Sequence, residues 1–201
     1  MRPIATKDFS ALVAEIYDCA LDPDHWPGAL IGLCGEMHFR LASLILADEP
    51  GACAVLDVAT GVPEKDRAAM LARSRDAVDA WGPAGTLATL PLDTPLVHSL
   101  VNPEVGESRC MREVCLPLGF SDSLSILFSR ERAAFGSLSF GRHVEDGPIG
   151  AREVALAQLF MPHLKRALAI NRLLGSHALE RATFAAVLDR LSIAVLVVAR
   201  D

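Results

Sequence analysis

The chain has 201 residues, of which 51% are hydrophobic, 22% charged and 5% aromatic, with 14 Gly and 12 Pro. That balance excludes a disordered or collagenous chain, and the length suffices to remove about 70% of the unfolded surface from water without disulfide or metal staples. A net charge of −6 has the wrong sign for a chain that neutralises phosphates, although residues 1–149 hold 12 basic and 21 acidic side chains while residues 150–201 hold 7 and 4.

The cysteines, Cys19, Cys34, Cys53, Cys110 and Cys115, are odd in number and show no C-x-x-C spacing. With an N-terminus that lacks the pattern of a signal peptide, they predict a reducing, cytoplasmic setting. No run of about 18 apolar residues is present to cross a membrane.

Phe9, Leu12, Val13, Ile16, Tyr17 and Ala20 recur at helical spacing and predict a first helix ending near Cys19, capped by Thr6 or Asp8. Asp22-Pro-Asp-His-Trp-Pro breaks it, and Pro27 suits the first turn of a second helix reaching Met37. Leu41–Ala47 and Cys53–Ala59 are β-compatible runs around the turn signal Asp48-Glu-Pro-Gly. A third helix is expected from Thr60-Gly-Val-Pro-Glu to Trp81, where Gly82-Pro83 stops it.

Residues 82–106 sustain no period and predict a long structured loop, followed by a short helix over Glu107–Cys115 and a turn at Pro117-Leu-Gly-Phe. Ser121–Arg130 and Ala134–Arg142 alternate as the strands of a hairpin. Leu124, Ile126 and Phe128 share one face of the first strand with Gly136, Leu138 and Phe140 of the second; Arg130-Glu-Arg forms the tip.

Ala151–Leu174 reads as one long helix that Pro162 should kink. Its narrow polar stripe of Gln158, Lys165 and Arg172 implies cover on more than one side, by its own sheet and by a partner chain, or else burial within one domain. Beyond Gly175-Ser-His lie an amphipathic set from Leu179 to Leu191 and an apolar β-run at Ile193–Ala199, an edge without a partner in this sequence.

Common catalytic signatures are absent, among them G-x-S-x-G, H-E-x-x-H, the P-loop and G-x-G-x-x-G. Cys110 and Cys115 with His98 form a weak metal set, since thiols five apart on an α-helix face different ways, and buried structural thiols are the plain reading. Arg109 and Arg112 flank Cys110 and make it the thiol most open to activation. His163 reads as a helix-face histidine bonded to a carbonyl or carboxylate, and Asp22, Asp24 and His25 as turn chemistry.

The hairpin is more informative. Opposite its greasy face it carries Ser121, Ser123, Ser125, Ser137 and Ser139. Small hydroxyls there leave volume for a ligand or a covering loop; the plain alternative is a solvent face. Trp81, at a helix end before the long loop, and His98 within that loop are placed to close such a pocket, or Trp81 to pack a core. The expected ligand-binding set is Trp81, His98, Ser125, Ser137 and Ser139, with no catalytic or metal residues and an unknown cofactor.

The element order helix, helix, hairpin, helix, loop, hairpin, long helix resembles a GAF- or PAS-like sensor of α+β class. More particularly, Ile16-Tyr-Asp-Cys-Ala-Leu-Asp-Pro-Asp-His-Trp-Pro, Pro91-Leu-Asp-Thr-Pro, Glu113, Pro117-Leu-Gly-Phe, Asp122, Arg130-Glu and Pro162-His-Leu-Lys-Arg-Ala resemble the N-terminal half of LuxR-type helix-turn-helix transcriptional regulators. The resemblance implies a sensor over residues 1–175 and the start of a second PAS-like segment over 176–201. It also implies a small-molecule signal and DNA contact only through a domain beyond this chain, while the apolar helix Ala151–Leu174 beside the Phe9–Ala20 helix predicts a homodimer. The resemblance implies no catalytic residues. The competing readings are an enzyme using His98, His143 or a thiol as base, and a dimerisation scaffold with a filled core.

Overall fold

The computed structural model describes residues 4–47, 54–63, 65–66, 81–83, 85–131 and 134–189, with backbone alone at 47, 54–55, 130–131, 134–135 and 175–189. Helix α1 (Thr6–Leu21) buries Leu12, Ile16, Cys19 and Ala20. Its N-cap is Ala5, without a side-chain cap, rather than the expected Thr6 or Asp8, both of which lie inside the first turn. Asp22 is extended and its Oδ1 accepts from the Asp24 N–H at 3.1 Å, so this acidic cluster is turn chemistry. Helix α2 (Trp26–Met37) has Pro27 in its first turn and ends on left-handed His38 (φ 55°), whose N–H donates to Cys34 O.

Strands β1 (Leu41–Ala47) and β2 (Ala54–Thr60) pair antiparallel. Of the helix expected up to Trp81, residues 67–80 lie outside the described residues. The stretch 82–106 is more structured than a loop: it holds a turn of helix α3 (Thr86–Thr89), a two-residue strand β3 (Leu96–Val97) and a turn of helix α4 (His98–Val101). The α4 turn is stabilised from outside: Asp122, on the neighbouring strand, accepts from the Ser99 N–H at 3.1 Å and from its Oγ at 2.6 Å. Strands β4 (Phe120–Glu131) and β5 (Ala134–His143) complete a five-stranded antiparallel sheet in the order β2-β1-β5-β4-β3.

One sheet face carries the core. Ala42, Leu44 and Leu46 of β1, Leu138 and Phe140 of β5, and Leu124 and Ile126 of β4 pack against α1, α2 and the long helix α5 (Ala151–Asp189). From α5 come Leu156, Phe160, Leu164 and Leu168, with Phe160 meeting the Phe9 ring at 5.2 Å. Pro162 and Gln158 both face solvent, where water can serve the carbonyl that the proline leaves without a donor. The α5 backbone also runs through Gly175, where the sequence suggested a break; one glycine costs a helix interior about 1 kcal/mol but does not end it. The apolar run 193–199 lies outside the described residues.

Arg142 is the large polar group of this core, 2% exposed. Its Nη1 donates to His38 O at 2.8 Å, its Nη2 lies 3.4 Å from Glu153 of α5, and its guanidinium stacks 4.6 Å over the Phe39 ring. One side chain thus joins the end of α2, the central strand and the start of α5. Arg142→Ala leaves Glu153 and a buried carbonyl uncompensated, and a loss of about 3–5 kcal/mol is expected in urea unfolding. Arg142→Met, which keeps the volume, should lose less; equal losses would place the contribution in the charge and its hydrogen bonds alone.

Candidate functional site

Because β-strand side chains alternate, the face of β5 opposite the core presents Ser137, Ser139 and Gly141. Register sets Ser43, Ser139 and Ser125 side by side across three strands, with Leu96 of β3 beyond Ser125. Ser125 is 0% exposed and its Oγ donates to Ser139 Oγ at 2.7 Å. Ser137 stands opposite Leu127. A bulge between Leu127 and Ser129 interrupts the alternation, so that Leu127 is fully buried on the hydroxyl side while Phe128 packs against the main core.

Leu127 gathers a second, smaller apolar cluster with Trp81 and Leu90, flanked by Leu87, Leu96 and Val101. Against Trp81 lies His98, ring centroids 4.1 Å apart and tilted by 52°. His98 is 6% exposed and neither ring nitrogen has a hydrogen-bond partner. Burial drives its pKa down to about 4, partly opposed by the Asp122 carboxylate, so the imidazole is neutral.

The segment over this face is pinned by Asp93, a non-glycine residue with φ 57°. Its N–H donates to Leu127 O at 2.8 Å and its carboxylate accepts from Lys165 of α5.

The structure therefore brings Trp81 to His98 and Ser125 to Ser139, and sets Ser137 across from the leucine on which Trp81 packs. A separate cavity of about 450 Å³ lies at the other side of the sheet, lined by Leu46, Phe128, Ser129, Lys165, Leu168 and Arg172 among others. None of the five expected residues lines it. Sequence reasoning missed that groove because its walls come from a bulge and from helix turns 40 residues apart.

Two expectations about chemistry change. Cys110 and Cys115 come near each other: the turn Met111–Cys115 is a π-helix, with the Leu116 N–H bonded to Met111 O, and Cys110 with burial raises the Cys115 pKa. The wider turn returns the fifth residue toward the first, which α-helical spacing does not. His163 bonds neither carbonyl nor carboxylate; its Nδ1 lies 3.4 Å from Tyr17 Oη, between the rings of Tyr17 and Phe9. His143 Nδ1 accepts from the Glu145 N–H at 3.3 Å.

A five-stranded antiparallel sheet with helices on its core face and a long C-terminal helix defines a mixed α+β fold. No family model matches the chain, and no curated protein matches it in sequence. Solved structures do match in fold. The LBD domain of VqsR from Pseudomonas aeruginosa superposes with a TM-score of 0.54 at 10% identity, over 81% of this chain and 95% of that one. The N-acylhomoserine lactone dependent LuxR-family transcription factor CepR2 from Burkholderia cenocepacia gives 0.53 at 14% identity, over 81% and 93%. Residues 1–171 of SdiA from Escherichia coli give 0.53 at 18% identity, over 86% and 99%.

The chain thus has the fold of ligand-binding domains of LuxR-family regulators. No helix of the described residues is long and apolar enough to cross a membrane.

The neutral state of His98 has a pH signature. With a folded pKa near 4 against 6.5 unfolded, its contribution to stability is fully present above pH 6.5 and is lost as pH falls through 4. Unfolding free energy should drop by about 3 kcal/mol over that window from this group, and the drop should be missing in His98→Gln. Parallel pH profiles for the two proteins would show that His98 is solvated.

Proposed function

We propose that residues 1–175 are the sensor domain of a cytoplasmic transcriptional regulator, and that a small, uncharged signal binds on the hydroxyl face of the sheet between Ser125, Ser137, Ser139, Trp81 and His98. The observation that carries the reading is His98: an almost fully buried imidazole, stacked on Trp81, with both nitrogens lacking partners. Each unmet buried polar atom costs about 1–3 kcal/mol, which a ligand's carbonyl or hydroxyl would offset. The neighbouring side chains are hydroxyls and hydrocarbon, so the fit is to a neutral amphiphile. CepR2, one of the proteins with this fold, is N-acylhomoserine lactone dependent; lactones with acyl chains are the first class to try.

Native mass spectrometry of the purified chain should retain a bound small molecule. In a Trp26→Phe background, Trp81 fluorescence should respond to that molecule, and Ser137→Leu, which adds bulk to the hydroxyl face, should weaken binding at least tenfold, about 1.4 kcal/mol. If Ser137→Leu binds normally and Ala169→Trp does not, the groove beside Lys165 and Arg172 is the site and the present assignment is wrong.

The same reading includes a homodimer built on α5, followed by a second PAS-like segment from residue 176 and DNA contact through a further domain. Support comes from exposed Leu159, Ile170, Leu173 and Leu174, which fall along one stripe of α5. Leu164 and Leu168, by contrast, are buried in the chain's own core. Leu173→Glu should shift the protein to monomer in sedimentation with its fold intact, whereas Leu164→Glu should unfold it. A wild-type monomer at tens of micromolar would remove the dimer.

A further inference from the structure

We propose that Cys110 and Cys115 form a dithiol site at which a peroxide closes an intrachain disulfide. The π-turn brings the fifth residue back toward the first, close enough that Cys110 perturbs the ionisation of Cys115. A disulfide needs Cα atoms within about 7 Å and Cβ vectors that converge. The i→i+5 winding of the π-turn serves both, since it sets residues five apart nearly one above the other on the same side of the turn.

The two sulfurs differ in setting. Cys115 packs against Val105 and Met111, while Cys110 opens the turn next to Arg109 and Arg112. The neighbouring Cys110 thiol, reinforced by burial, raises the Cys115 pKa, so Cys115 keeps its proton. Cys110, beside Arg109 and Arg112, is then the attacking sulfur and Cys115 the resolving thiol. Cys19 and Cys34, with pKa values pushed up by burial to about 11 and about 12, have no comparable activation.

The chemistry closes in two steps. The Cys110 thiolate attacks one oxygen of hydrogen peroxide, the O–O bond breaks, and Cys110 becomes a sulfenic acid as hydroxide leaves and is protonated to water. The Cys115 sulfur then attacks the Cys110 sulfur, the S–O bond breaks, and hydroxide leaves with the Cys115 proton as a second water. Two thiols have lost two electrons and two protons to one peroxide. The closed ring spans the turn between α4 and β4, on the chain that leads from His98 to the hydroxyl strand, but the proposal stands independently of any ligand there.

Trypsin cuts after Arg109, Arg112 and Arg130, so the peptides 110–112 and 113–130 remain joined only by the disulfide. The full chain is treated with a few equivalents of hydrogen peroxide, alkylated, and digested without reduction. The expected result is the joined pair, a denatured mass lower by two hydrogens with no covalent dimer, and thiol loss at these positions at least about tenfold faster than at Cys19 and Cys34. In Cys115→Ser, Cys110 should accumulate as a sulfenic acid that dimedone traps. In Cys110→Ser, Cys115 should react at least about tenfold more slowly. Oxidation of wild-type Cys110 without Cys115, pairing of either residue with Cys53 or with a second chain, or equal rates at all thiols overturns the proposal, with no variant needed to read it.

Discussion

The architecture depends on the central strand having two unequal sides. β5 turns Leu138, Phe140 and Arg142 to one face and Ser137, Ser139 and Gly141 to the other. The first set is large enough to hold three helices; the second is small, and other segments of the chain pack over it. At Gly141 even a single added carbon would come within 3.1 Å of the Phe120 ring and 3.2 Å of Leu41. Bulk on this side is excluded by the neighbours themselves. The strands flanking β5 follow the same division, and so the core collects on one side and the hydroxyl row on the other.

Much of that was readable from the amino acids. Alternation in Ser121–Arg130 and Ala134–Arg142 yields the two long strands and assigns their faces, because a period of two survives any rearrangement of neighbours. The apolar spacing of Phe9 through Ala20 likewise finds α1 within a few residues. What escaped depends on contacts distant in sequence. A carboxylate on β4 completes α4, and the two-residue strand β3 exists only by pairing with β4. Neither leaves a local pattern, so 82–106 looked irregular.

The candidate site divides in the same way. The serines stood out because their size is unusual for a strand face, and Trp81 and His98 because they flank the segment over it. Their mutual contact and the burial of His98 could not be read, since both need the fold. The bulge at Leu127 is the main surprise: by switching one leucine across the sheet it supplies the apolar centre around which the other groups assemble. The approach of Cys110 to Cys115 was missed for a different reason. α-Helical geometry was assumed where a π-turn occurs, and no residue type announces that turn.

The segment from Asp93 to Ser99 is tied to the sheet at three places, Asp93 to Leu127, Leu96 to Ser125 and Ser99 to Asp122, and all three fall on the single strand β4. Fastenings along one strand cannot release one after another without exposing the leucines between them, so the segment lifts as one cooperative unit. Its backbone amides then exchange with solvent water at a common rate set by that opening. Any molecule lying beneath it leaves no faster than the unit opens, which makes residence time a property of the edge of the sheet as much as of the molecule's own contacts.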